Sequence, residues 1–228
     1  MAKMIDRYET NFYRRYMFPS KRLRHFDVVC MLLKAYQGTI GTTPNSVLDV
    51  GCGAGWHLEA ARAMLPTAKL TGVDRSKGAD LKSLWMLGGD PNAEFIDMDL
   101  MSPHPLVSGK HDLVWCIDVA EHIRPDCSKI LAKFIAGSTG KMLIFGGATT
   151  GHEGGHSRNH CNCRPAGYWA WVFRRQGLTY CRRLTEWLRR STRIRGIRHL
   201  GEYIEAYMLA PPPVAGERQE NQPTPRNK

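Results

Sequence analysis

Apolar residues along this chain alternate between two arrangements: short, nearly continuous runs, and longer stretches in which they recur three and four positions apart. The short runs are residues 47–50, 70–73, 93–98, 111–117, 140–147, 178–182 and 203–209, each of a length suited to a strand. The first run (Val47, Leu48, Val50) suits a strand covered on both faces. The periodic stretches predict helices. One spans residues 20–36, with Ser20 as N-cap and Leu23, Phe26, Val29, Cys30 and Leu33 on one buried stripe. Others run from Trp56 to Met64, where Pro66 ends the helix, from Lys77 to Met86, through Ile130, Leu131, Phe134 and Ile135, and from about Tyr168 to Gly177. Strands alternating with helices describe an α/β domain, with the last two strands as an antiparallel edge pair.

The first strand runs into Asp49-Val50-Gly51-Cys52-Gly53-Ala54-Gly55. Three alternate glycines leave a turn without Cβ atoms, open to close approach by a ligand. The spacing is Gly-x-Gly-x-Gly and not the Gly-x-Gly-x-x-Gly of dinucleotide sites, and Asp49 stands where a ligand ammonium could be held. Both features favour an amino-acid-bearing nucleoside over a pyrophosphate.

With Asp74 following Leu70-Thr71-Gly72-Val73, the segment from Val47 to Gly55 resembles the first two motifs of class I S-adenosylmethionine-dependent methyltransferases. The resemblance implies a Rossmann-like, doubly wound, seven-stranded sheet, mostly parallel with an antiparallel last strand. It also implies S-adenosylmethionine as cofactor, its methionine part on the glycine turn and both ribose hydroxyls donating to Asp74. Phe95-Ile96-Asp97-Met98-Asp99-Leu100 is similar to the family's third motif, in which an acid meets the adenine amino group. Asp99 is favoured over Asp97 because Asp-Leu followed by Pro103 is the family-like arrangement. The expected cofactor residues are Asp49, Gly51, Cys52, Gly53, Gly55, Trp56, Asp74, Arg75, Asp99, Leu100 and Ile117.

The fourth strand leads into Asp118-Val119-Ala120-Glu121-His122-Ile123. In a doubly wound sheet, ligands lie beyond the carboxyl ends of the strands, so these groups should face the site. The segment resembles the acid-x-x-Glu-His segment of small-molecule methyltransferases, including the ubiquinone-biosynthesis O-methyltransferases, where it lies between cofactor and acceptor. There it serves as general base or holds a divalent cation. Three roles stay open for Asp118, Glu121 and His122: capping a helix that starts here, positioning or deprotonating an acceptor, and binding a cation.

Residues 148–163 form a long loop carrying His152, Glu153, His156, His160, Cys161, Asn162 and Cys163. His160-x-Asn162-x-x-Pro165-x-x-Tyr168-Trp169 resembles a signature after the fifth strand in a subgroup of bacterial and phage methyltransferases. His160 is the second candidate base, and Asn162, Tyr168 and Trp169 are candidate acceptor contacts. A zinc held by His156, His160, Cys161 and Cys163 fits no standard finger spacing, so no metal is expected.

Charge adds one alternative. The chain carries a formal +11, and ten arginines lie between Arg164 and Arg198 against the single acid Glu186. Such clustering suits an anionic partner, nucleic acid or a phosphorylated acceptor, or else a solvated helix face lined inside by Trp187, Leu188, Ile194, Ile197 and Leu200. The base-methylating Asn-Pro-Pro-Tyr type of motif is missing after the fourth strand, so a small-molecule acceptor and O-methylation are favoured over nucleic acid. A non-catalytic cofactor-binding module is the remaining alternative. Residues 1–38 read as an N-terminal helical extension or lid, 39–210 as the methyltransferase domain, and 211–228 as a disordered tail. Seven cysteines in odd number and the lack of a long apolar run favour a cytoplasmic protein without membrane attachment or structural disulfides.

Overall fold

A computed structural model of the chain describes residues 19–75, 85–103, 109–151, 160–194 and 198–209. Seven strands form one sheet: β1 (Ser46–Val50), β2 (Lys69–Asp74), β3 (Ala93–Asp97), β4 (His111–Ile117), β5 (Thr139–Gly146), β6 (Leu178–Tyr180) and β7 (Ile204–Leu209). Their order is β3-β2-β1-β4-β5-β7-β6, parallel throughout except for β7, which runs antiparallel to both neighbours. The Rossmann-like, mostly parallel sheet expected from the sequence is therefore present. The last strand inserts between β5 and β6 and leaves the short β6 at the edge.

Because strand side chains alternate in direction, the sheet builds two cores. On one face Val47, Leu70, Leu113, Trp115, Met142 and Ile144 pack beneath α1 (Pro19–Ile40), α2 (Trp56–Met64), α5 (Arg182–Ile194) and α6 (Arg198–Tyr203). On the other, Leu48, Val50, Val114, Cys116, Leu143 and Phe145 pack against α3 (Ser128–Ser138) and α4 (Tyr168–Arg174).

The α1 helix starts one residue before the expected Ser20 cap and runs through residue 38, where the sequence placed a domain boundary. It buries more than one stripe, since Val28, Val29, Met31, Leu32, Leu33, Ala35 and Tyr36 are all enclosed, while Phe26 stands 39% exposed. The reason is that α1 is covered by both α2 and α5, so residues on either side of the expected stripe also find partners. The arginine-rich stretch is the helix α5, with Leu188 buried and Trp187 left 36% exposed. The expected helix from Lys77 to Met86 falls largely on residues 76–84, outside the described ones, and Met86–Gly89 form turns.

The segment after β4 departs from a simple helix. Residues Ala120–His122 and Pro125–Cys127 are two 3-10 turns, and α3 begins only at Ser128. Pro125 forces the break. It disfavours helical backbone at Arg124, which adopts φ −54° and ψ 142°, and its own ring supplies the next start. As a result the acids and histidine after β4 sit on a short irregular connection at the carboxyl edge of the sheet.

Phe173 illustrates how the second core holds α4 in place: it is fully buried, with ring centroids 5.0 Å from both Phe145 and Tyr207. Phe173→Ala should destabilise the fold by about 3–5 kcal/mol, read as a lower midpoint in chemical denaturation. A loss under about 1 kcal/mol would contradict this packing.

Candidate active site

The sheet order reverses between β1 and β4, and the residues that leave these strands meet there. The glycine turn has left-handed backbone at Gly51 (φ 81°), Gly53 (φ 54°) and Gly55 (φ 87°). A Cβ on Gly51 would lie 2.2 Å from Val119 Cγ2, and one on Gly55 2.5 Å from the Trp85 ring. The glycines thus let the segment after β4 close onto the turn. The N–H groups of Gly51 and Cys52 both donate to Val73 O, at 2.8 and 3.1 Å, which ties the turn to β2.

Asp74 ends β2 and takes the Gly53 N–H on Oδ2 at 2.8 Å and the Arg75 N–H on Oδ1 at 2.6 Å. Burial raises its pKa, and these two N–H groups oppose the rise. The Arg75 guanidinium lies 3.3 Å from Asp99 Oδ2, whose other oxygen accepts the Met101 N–H at 2.9 Å. Asp74, Arg75 and Asp99 are therefore brought together beside the glycine turn. Leu100, Cys52, Trp56 and Ile117 are buried around them, with Ile117 the last residue of β4.

Asp49 is 2% exposed, and its Oδ2 has no hydrogen bond, with His57 Nδ1 at 3.9 Å. Burial pushes its carboxyl up to about 7; Asp74 adds to the shift, and the Trp115 indole opposes it. His57, which the sequence reading missed, opens α2 one residue after Trp56, and its ring meets that of His25 at 4.8 Å. S-adenosylmethionine fits these residues in that Asp49 offers a buried oxygen without a hydrogen bond, suited to an ammonium group.

Directly after β4, Asp118 has φ 57° and is the one non-glycine residue with positive φ among the described residues. Its N–H donates to Gly146 O at 2.9 Å, and its Oδ1 accepts the hydroxyl of Tyr203 at 2.6 Å. Tyr203 was legible only as the start of a strand. It is the last residue of α6, 8% exposed, and burial and the Asp118 charge both raise its pKa.

Glu121, His122 and His160 converge. One ligand atom from each lies within 4.8 Å of the others, and the two imidazole rings meet edge to face with centroids 4.9 Å apart. Glu121 is 2% exposed and its Oε2 has no hydrogen bond. Its carboxyl is raised to about 8 by burial and by the neighbouring Asp118, against the pull of the N–H groups of Glu121 and Ala148. His122 is exposed, and His160 half-buried with Nδ1 3.8 Å from Cys163 Sγ.

The loop after β5 is fastened to this cluster. The N–H groups of Cys161 and Asn162 both donate to the Glu121 carbonyl, at 2.8 and 3.0 Å. Asn162 Nδ2 donates to Ala120 O at 3.1 Å and to Ser128 Oγ at 3.0 Å.

Two of the three expected acceptor contacts are turned into the protein. Asn162 is 3% exposed because its amide bridges the turn and α3, and Trp169 is 5% exposed because it packs on Phe145 and Phe173 in the second core. Tyr168 stays half-buried, with the Arg164 guanidinium 4.6 Å from its ring centroid. Asp118 is directed to Tyr203, while the metal-ligand cluster is completed by His160. His152, Glu153 and His156 lie outside the described residues, and so does the four-ligand zinc arrangement that needs His156. All seven cysteines are free thiols.

The folded protein keeps the Asp49 proton up to about pH 7, whereas the unfolded chain releases it near pH 4. The folded state then binds more protons between these values, so stability falls as pH rises through them, by up to about 1.4 kcal/mol per pH unit. Asp49→Asn keeps the shape without the titration. Denaturation from pH 5 to 7 should show the variant gaining on the parent protein as pH rises, and parallel profiles would contradict the assignment.

Comparison with known proteins bears on the same residues. Residues 47–136 match a family model described as a methyltransferase domain. No curated protein sequence matches the chain. Among solved structures, a plantazolicin methyltransferase bound to a desmethyl analogue and S-adenosylhomocysteine superposes with TM-score 0.60 and 18% identity, over 90% of each chain. The magnesium protoporphyrin IX methyltransferase of Synechocystis PCC 6803, also with S-adenosylhomocysteine, gives 0.58 and 20% identity over 92% of this chain and all of its own. An O-methyltransferase family protein from Burkholderia thailandensis gives 0.58 and 19%, over 84% of this chain and 56% of that one, so this chain spans little more than half of its length. At these identities the likeness is one of fold. The family match, however, runs through the glycine turn, Asp74, Asp99 and the segment from Asp118 to His122, so residues 47–136 are similar to a methyltransferase domain across all of these segments.

Proposed function

We propose that the chain is a class I S-adenosylmethionine-dependent methyltransferase that acts on a hydroxyl group of a small-molecule acceptor. The observation that carries the reading is the meeting of His122 and His160 beside Glu121, at the carboxyl edge of β4 and β5. S-adenosylmethionine supplies a methyl group already activated on its sulfonium, so the protein's own work is to align the acceptor and prepare its oxygen. A hydroxyl needs its proton removed as it attacks, and imidazoles at the acceptor mouth are suited to prepare it. Tyr203 orients Asp118 for a contact with the acceptor.

The names of two structural neighbours favour an acceptor other than nucleic acid, since one was solved with a plantazolicin analogue and the other is named for magnesium protoporphyrin IX. The arginines of α5 give less support to a polyanion. Arg182 is held by Glu186 at 2.9 Å, and Arg189 lies 3.6 Å from Glu205 and donates to Ile204 O at 3.1 Å. None of the helices among the described residues is long and apolar enough to cross a membrane. With seven free thiols, the reading places the enzyme in a reducing cytoplasm.

The test is a screen of hydroxylated small molecules with isotopically labelled cofactor, followed by the doubly substituted His122→Ala, His160→Ala protein on any acceptor found. The product should carry its label as an O-methyl ether or ester, and the double variant should lose at least about a hundredfold in turnover while still binding cofactor. Label on nitrogen, on carbon or on RNA, or undiminished turnover in the variant, would contradict the reading.

A further inference from the structure

We propose that His57 is a cofactor-positioning residue that shares a proton with Asp49 in the cofactor-free protein, and that the cofactor's ammonium group displaces this proton when it binds. The inference rests on the S-adenosylmethionine reading above and goes beyond it in tying cofactor affinity to a proton.

Asp49 lies two residues after Val47 on β1, so both side chains turn to the sheet face covered by α1 and α2. There Oδ2 is enclosed without a hydrogen bond, and His57 Nδ1 stands 3.9 Å away, just outside hydrogen-bonding distance. The His57 side chain is 22% exposed, against 3% for Asp49, so solvent reaches the imidazole but not the carboxyl. The same ring meets His25 of α1 edge to face at 4.8 Å, and His25 lies tilted against Trp56 with centroids 5.5 Å apart. The imidazole is thus held in a packed row of rings with Nδ1 on the Asp49 side.

The groups that face Asp49 offer it no cation. Asp74 comes from β2, the Trp115 indole from β4, and the thiols of Cys52 and Cys116 from the glycine turn and β4, both raised well above their ordinary pKa chiefly by burial. Among the described residues no lysine or arginine lies within 4 Å of Asp49. A buried carboxyl in such company keeps its proton, here up to about pH 7, while burial and His25 hold His57 neutral by lowering its pKa to about 3.

The cofactor brings the missing cation. As its ammonium approaches, the Asp49 O–H proton passes to His57 Nδ1, and the imidazole gives up its Nε2 proton to solvent. The Nδ1–H that results donates back to the carboxylate and fixes its direction toward the ammonium. The cofactor-free protein therefore holds a proton that the complex lacks, so affinity rises with pH up to about 7 and is level above it.

The experiment titrates the full chain with S-adenosylhomocysteine by calorimetry at pH 5, 6 and 8, in buffers whose different ionisation enthalpies report the protons released. About 0.9 proton should leave per bound ligand at pH 6 and about 0.1 at pH 8, with affinity about tenfold lower at pH 6 than at pH 8 and about a hundredfold lower at pH 5. His57→Phe keeps a ring without its nitrogens. It should weaken binding about tenfold at pH 8 and move the bend of the profile to higher pH, because the carboxylate loses a donor. His57→Asn, whose amide can still donate to Asp49, should restore most of that affinity. Asp49→Asn should abolish the proton release. The proton count is read on the parent protein, so the test stands where a variant fails to fold. No proton released at pH 6, release that persists in Asp49→Asn, or a His57→Phe profile matching that of the parent protein would each overturn the inference and leave the cofactor reading standing. Failure of S-adenosylhomocysteine to bind at any of these pH values would overturn the methyltransferase reading, and the inference with it.

Discussion

Two N–H groups, from Cys161 and Asn162, converge on the carbonyl of Glu121, and the proposed acceptor half of the site depends on that junction. It joins the connection after β4 to the loop after β5 and, with the Cys161 thiol 3.6 Å from Ile123 O, holds His160 against His122. The Asn162 side chain completes the junction by satisfying Ala120 O and Ser128 Oγ, so that a loop with buried polar groups keeps its backbone paired.

The two halves of the proposed site are built on different physics. The cofactor half is mostly backbone: a turn of glycines in left-handed conformation, N–H groups on the Val73 carbonyl and the Asp74 carboxylate, and Asp99 reached through Arg75. The acceptor half is mostly side chains held by other side chains, as Asp118 is by Tyr203. Val119 links them, because it fills the space that a Cβ on Gly51 would need.

The sequence made the first half legible and much of the second illegible, for physical reasons. Strand β4 and helix α2 have the boundaries their apolar patterns imply, because each is a short element closed by a strong local signal. The glycine turn could be read because positive φ restricts residue type directly. The helix expected at Asp118 failed to form because Pro125 interrupts it. Asn162 and Trp169 look like acceptor contacts in a motif, but their burial depends on packing across the chain against Ala120, Ser128 and Phe145. Tyr203 carries no motif at all, and only the fold brings it to Asp118 from far along the chain.

On this reading the glycine turn and the Glu121, His122 and His160 cluster face one another across a single reaction centre. In a crystal structure with S-adenosylhomocysteine, the amino-acid part of the ligand should lie on the turn beside Asp49 and its ribose at Asp74, with the sulfur directed toward the two imidazoles and room for an acceptor between. A sulfur directed away from the cluster, or a cluster walled off from it by protein, would rule this arrangement out.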